Sequence, residues 1–222
     1  MDTSSSVADR QPQHPRVRRA TGEDLPDAAR VQSECLAEIG AGSIDADVLA
    51  ALTSEDAVES TVEQWRQLYD EGAQFWVLDD DGAIVGVAMT RRMPPAEAPT
   101  TLELATIHVM PRARLRGVAD ELLSSAIGQE PAFVWVLNTS EHAIGFFEKN
   151  GFSLDHTAGS LDNTLGGIPL QRMVRGHLTS SGPVRGGVPL ECPVRRSGPT
   201  AGLAGRVSEA WRTRLGCGGQ PA

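Results

Sequence analysis

Val109-Met-Pro-Arg-Ala-Arg-Leu-Arg-Gly-Val-Ala-Asp-Glu-Leu-Leu123 is the stretch on which the fold turns. An apolar strand, Leu102 to Val109, runs into Pro111, which cannot donate to a ladder and so stops it. A basic turn follows, and then an amphipathic helix expected from about Leu115 to Ile127. The first turn of such a helix presents unpaired backbone N–H groups and the positive end of the helix dipole. A strand that ends in this way makes a cradle for an anion, and a diphosphate fits it. Gly117 allows the backbone to come close to a ligand, and Ala119 keeps the next turn uncrowded. Arg112, Arg114 and Arg116 add positive charge around the same spot.

The rest of the chain supplies a frame for that cradle. Its 222 residues, 40% of them hydrophobic, suffice for one good core. Thr21 and Asp24 form a capping-box pattern, and Leu25, Ala28, Val31, Cys35, Leu36 and Ile39 then recur at helical spacing. A second helical region, Asp45 to Tyr69, is expected to break near Thr53-Ser54, with Ser54 capping the second piece. Phe75–Leu78 and Ile84–Ala88 flank the turn signal Asp79-Asp-Asp-Gly82 and read as a hairpin. Met93 to Thr100 is a loop. After the central strand and helix come a strand over 133–137, a helix over 141–150 closed by Gly151, and two last strands, 152–154 and 168–174. The order is that of a mixed α/β sheet with helices on both faces, not of a repeating doubly wound fold.

Charge divides the chain. Residues 1–175 hold 14 Lys and Arg against 27 Asp and Glu, whereas residues 176–222 hold six Arg against two Glu. The acidic part argues against nucleic acid as a partner and mildly favours a cationic substrate. The expected boundaries are a disordered leader over 1–15, a folded domain over 16–176 and a disordered Pro/Gly/Arg-rich tail over 177–222, apart from a short helix near 207–215. No apolar run reaches membrane length and the first residues lack a secretory pattern, so a cytoplasmic protein without a membrane partner is expected. Three unpatterned cysteines imply neither a disulfide framework nor zinc, and Cys35 reads as a core residue. His142 and His156 have no ligand spacing, so no metal is expected, and both read as solvent-facing.

Arg114-Leu-Arg-Gly117-Val-Ala119 matches Gln/Arg-x-x-Gly-x-Gly/Ala, and by that motif the chain resembles the GNAT superfamily of acyl-CoA-dependent N-acetyltransferases. A second block agrees: Val136-Leu-Asn-Thr-Ser-Glu-His-Ala143, then Phe146-Phe-Glu-Lys-Asn-Gly-Phe152, looks like the family's fifth strand and fourth helix. The resemblance spans roughly Val17 to Arg175. It implies a mixed, mostly antiparallel sheet of about six to seven strands with helices on both faces. It also implies acetyl-CoA as co-substrate, with the motif residues Arg114, Leu115, Arg116, Gly117, Val118, Ala119 and Asp120 at the coenzyme and the backbone amides of Arg116 to Asp120 on its pyrophosphate. The pantetheine arm would lie along Ile107, His108 and Val109 like an added strand, where the sheet splays. Amides near His108 and Val109 would polarise the thioester carbonyl. Arg112 either reaches the 3′-phosphate or is a solvated loop charge.

Acyl transfer needs a neutral amine. A lysine-like amine with pKa about 10.4 is freed at pH 7 at a cost of roughly 4–5 kcal/mol, which a carboxylate can offset by taking the proton. The resemblance assigns that base to Glu103, six residues before Val109; His108 is the second candidate, on the opposite face unless the strand carries a bulge. Two departures stand out. Phe147 occupies the position of the family's usual Tyr general acid, leaving no phenol to protonate the thiolate. Ser140 replaces a common Asn and either touches the pantetheine or, more simply, caps the next helix. Leu115 also sits where many relatives carry Gly.

The acceptor, a small-molecule or protein amine, would meet the first two helices and the last strand pair. Glu34, Glu38, Asp45, Asp47 and Asp162, with the Gly166-Gly167 turn, are its candidate lining, or simply exposed acids. The rival function is an acyl-CoA sensor with little turnover, and a lesser one a basic tail that docks an acidic partner. The number of subunits stays open, with a homodimer one option.

Overall fold

The computed structural model describes residues 15–95, 98–114, 117–158, 161–165 and 168–176. The expected tail and its short helix, nearly all of the leader, Leu115-Arg116 and Gly166-Gly167 lie outside them. Along the chain come β1 (Arg16–Arg19), α1 (Leu25–Gly40), α2 (Ala46–Leu52), α3 (Glu55–Asp70), β2 (Gln74–Asp80), β3 (Ala83–Arg92) and β4 (Leu102–Val109). Then follow α4 (Val118–Ile127), β5 (Ala132–Leu137), α5 (Glu141–Lys149), β6 (Phe152–Leu154), β7 (Leu161–Leu165) and β8 (Ile168–Arg175).

Local chemistry explains most boundaries. Ser54 accepts a hydrogen bond from the Ala57 N–H at 3.2 Å and so starts α3 after the expected break. The Thr21 N–H and hydroxyl both donate to Asp24, at 2.7 and 2.9 Å, just before α1. Asp81 and Gly82 both have positive φ, the geometry of a tight turn that carries β2 into β3 without splaying them. α1 buries Leu25, Ala28, Val31 and Cys35, but Ile39 of the same apolar series is 40% exposed at the end of the helix. β7 was not anticipated, because Leu161-Asp-Asn-Thr-Leu165 is polar and reads as turn chemistry.

The strands form one sheet in the order β1-β2-β3-β4-β5-β8-β6, with β7 also on β8. Every pairing is antiparallel except β4–β5. Helices cover both faces. α3 meets β2 where Trp65 packs on Phe75, ring centres 5.3 Å apart, and α1 packs on α3, β3 and β4. α4 covers β2, β3 and β4 from the opposite side. The centre of the core between these layers is apolar apart from Thr90: Leu25, Val31, Val77, Leu78, Val87, Leu104 and Leu122 have no exposed surface.

Candidate active site

β4 and β5 pair only over Leu102–Leu104 and Ala132–Val134. Beyond these residues the strands part, and Ala105 to His108 become half-exposed along the fork. A second irregularity falls at the same place. Against β3, the register passes from Leu104↔Thr90 to Thr106↔Met89, so Ala105 is an extra residue, a β-bulge. Side chains of residues paired across a ladder share a face. Glu103, Thr106 and His108 therefore all stand on the face of Arg91, Met89 and Val87, the face covered by α1 and α3. The bulge cancels the alternation that separates Glu103 from His108 on a regular strand.

The ladder also settles which backbone groups face the fork. Met110 donates to the Val85 carbonyl at 2.9 Å. Since antiparallel residues alternate between partners, His108 and Thr106 bond toward β3, while Ile107 and Val109 point away from it. The expected polarising amide of His108 is thus engaged with β3; that of Val109 faces the fork. The Val109 carbonyl accepts from Arg114 Nε at 3.0 Å.

At the mouth of the fork lies the start of α4. Gly117 is its N-cap, with φ +88°, and no side chain caps the helix. A left-handed residue cannot belong to the helix, which is why α4 begins at Val118 and not at Leu115. A Cβ added at Gly117 would have nothing within 4 Å, so the helix start faces open space. Val118 is buried, Ala119 packs partly against the core, and the Asp120 carboxylate takes Lys149 Nζ at 2.9 Å and Asn150 Nδ2 at 3.0 Å. These bonds hold Asp120 below the usual carboxylate range and tie α4 to the end of α5.

Arg114 works as a joint. Its Nη1 and Nη2 grip both oxygens of Glu38 on α1, its Nε holds the end of β4, and its backbone N–H donates to Pro111. Glu38 is thereby assigned to the turn and not to an open acceptor lining. Arg112 is largely exposed and stands 4.0 Å from Glu34. Asp45 accepts from the Asp47 and Val48 amides as the cap of α2.

Glu103 is 5% exposed, and its Oε2 receives Arg91 Nε at 2.7 Å and Nη2 at 2.6 Å. No described residue donates to Oε1. Thr106, one residue past the bulge, donates to Gln32 of α1 at 3.0 Å. The pKa of His108 is pushed down to about 4, by burial first and by the nearby Arg114 cation second. It is neutral at pH 7 and takes up a proton no more readily than a carboxylate does. Ser140 accepts from the Ala143 N–H at 3.4 Å, the capping geometry. Phe147 is buried between Phe146 and Phe152, both edge-on at 5.2 Å. Cys35 is buried as a core residue. His142 and His156 are exposed, and among the described residues no group of His, Cys, Asp or Glu is placed to hold a metal. Arg91, Gln32 and Thr106 escape a reading of the sequence, because their roles depend on register and on helix packing.

A sheet that forks beside a bulge, with an uncapped helix start at its mouth, sets a free strand edge next to an anion cradle. The family description "Acetyltransferase (GNAT) family" matches residues 46–152, from α2 into β6. The chain is similar to an uncharacterised N-acetyltransferase, YjgM, of Escherichia coli K12, with 26% identity over 156 residues, covering 67% of this chain and 88% of that protein. Its fold is that of the PaiA N-acetyltransferase of Thermoplasma acidophilum solved with coenzyme A, at TM-score 0.56 and 18% identity over 74% of this chain and all of that one. The phosphinothricin acetyltransferase of Sinorhizobium meliloti, solved with acetyl-CoA, gives TM-score 0.54 and 18% identity over 78% and 95%. All of these likenesses are to acetyltransferases.

Proposed function

We propose that the enzyme moves the acetyl group of acetyl-CoA to a primary amine of a small molecule or a protein by direct attack. One observation carries this: the fork between β4 and β5 offers a strand edge, and the free start of α4 stands at its mouth. The pantetheine arm pairs along Ile107 and Val109, over a stretch of β4 (Ala105–Val109) about 16 Å long. The amides of Gly117 to Asp120 receive the pyrophosphate. Arg114 shapes the turn and leaves the phosphates to the backbone.

At the inner end of the arm, the amine nitrogen attacks the thioester carbon. A C–N bond forms, the C–S bond breaks, and the sulfur leaves as thiolate. The amine proton passes to Glu103 Oε1, directly or through water, while Arg91 holds Oε2 in place. The Val109 N–H facing the fork supports the developing oxyanion. With Phe147 in an aromatic cluster there is no phenol for the leaving group. A thiol of pKa near 8.5 departs tolerably as its anion, so the missing acid slows the reaction without abolishing it.

Titration calorimetry with acetyl-CoA, together with thiol release over a panel of amines, tests the reading. Wild type binds and turns over; binding without thiol release from any amine points to the sensor instead. Gly117→Val places a β-branched side chain at positive φ in the space before the helix start, and is expected to weaken coenzyme binding more than tenfold with the fold intact by circular dichroism. Glu103→Gln is expected to lower kcat 10²–10⁴-fold while leaving coenzyme affinity in place. Unchanged affinity in the first variant moves the coenzyme away from α4; an unchanged kcat in the second removes Glu103 as base.

A further inference from the structure

We infer that the acceptor is a small primary amine that also carries an anionic group such as a carboxylate, and that the guanidinium of Arg172 receives that group. The inference rests on the acetyl-transfer reading above and extends it to the acceptor. Glu103 lies in parallel register with Phe133, so the two share a face. Trp135, two residues further along β5, is on that face as well, and Trp135 pairs with Arg172 of β8. The side chains confirm the register. The guanidinium carbon of Arg172 lies 5.6 Å from the centre of the Trp135 ring and 6.0 Å from that of Phe133. From Glu103 to Arg172 is two strands across and two residues along, a Cα separation of about 12 Å. A span of that length suits a small molecule and not a folded partner.

Arg172 is also prepared for an anion. Its Nε and Nη2 donate to Asp155 Oδ2 at 2.8 and 2.6 Å. The other oxygen of Asp155 is filled by the Thr157 N–H at 2.9 Å and hydroxyl at 2.6 Å. Burial alone would push this carboxyl up, but these hydrogen bonds outweigh it and keep Asp155 below its usual range, as an anion that fixes the guanidinium. Both oxygens of Asp155 are thus already hydrogen-bonded. Arg172 Nη1, in contrast, meets no acceptor among the described residues, although the side chain is only 17% exposed. The clamp between β8 and the loop after β6 is made by Nε and Nη2 alone. In a site with little water, a carboxylate at Nη1 makes a strong charge-assisted hydrogen bond.

The test uses the full chain with acetyl-CoA and two acceptor series, linear ω-amino carboxylates and n-alkylamines of matched length, read by thiol release. The carboxylate series is expected to have at least tenfold higher kcat/KM. Arg172→Gln is expected to bring the ratio near one through the acceptor KM, with the KM for acetyl-CoA unchanged. If that variant fails to fold, n-alkyl carboxylates tested on wild type replace it: they should compete with the acceptor where alkylammonium ions do not. Equal rates for both series, no turnover of the carboxylate series, a preference that survives in Arg172→Gln or the absence of competition each overturn the inference. When acetyl-CoA still binds by calorimetry, any of these results leaves the coenzyme site standing; loss of that binding removes both readings.

Discussion

His108 shows what a single half-buried side chain imposes on the enzyme. In an unfolded chain its imidazole titrates near 6.5, whereas in the fold burial and the Arg114 cation bring it to about 4. Between these values the unfolded chain holds a proton that the folded chain refuses, so stability falls as pH drops from 6.5 toward 4. The full shift corresponds to about 3 kcal/mol, and partial exposure reduces this to about 2 kcal/mol. His108→Gln removes the effect. Urea unfolding at pH 7.5 and pH 4.5 should therefore show wild type losing about 2 kcal/mol more than the variant on acidification. Parallel losses would mean that the imidazole is solvated in the folded protein. The same environment argues for Glu103 over His108 as proton acceptor. Glu103 has an arginine to hold one oxygen and the other left open, and His108 has a cation beside it.

At the scale of elements, the joint between α1 and the turn before α4 is the most instructive. Arg114 was legible as a motif residue, but Glu38 was visible only as one acid among several on a helix, since nothing in α1 says which residue faces a turn 76 positions away. The Ala105 bulge was hidden for a similar reason. A bulge is a mismatch between two strands, and Leu102–Val109 read alone is a regular apolar run. The caps were readable because they are local: Ser54, Ser140 and Thr21 act on residues three positions away. Glu38→Gln tests the joint. Both partners of this ion pair are about 40% exposed, so the pair contributes less than 1 kcal/mol to stability and Tm should hardly change. With the turn released, the KM for acetyl-CoA is expected to rise severalfold at nearly constant kcat. Steady-state kinetics with Tm by calorimetry checks this; a fall in Tm with unchanged KM would make the pair a mere fastening of α1.

In the whole molecule, the sheet divides into β1–β4 and β5–β8, joined by one ladder of three residue pairs. The patterns of β2 to β6 and of β8 are legible in the sequence, as is the anion cradle; the narrowness of this junction emerges only when both strands are placed. The two halves therefore share little backbone pairing beyond Leu104 and Val134. A molecule that lies along β4 inside the fork, with its phosphates at α4, fills the gap between them and binds only the folded state. At acetyl-CoA a hundredfold above its Kd, such linkage adds about 2.7 kcal/mol. For a domain of this size each kcal/mol raises Tm by about 2–4 °C, so a rise of roughly 5–10 °C is expected. Hydrogen exchange should slow most at Ala105–Val109, Trp135–Leu137 and Val118–Asp120, while β1 and β2, remote from the fork, gain only the protection that global stabilisation confers. Uniform protection across the sheet would indicate global stabilisation without a site in the fork, and protection elsewhere alone would place the coenzyme on another surface.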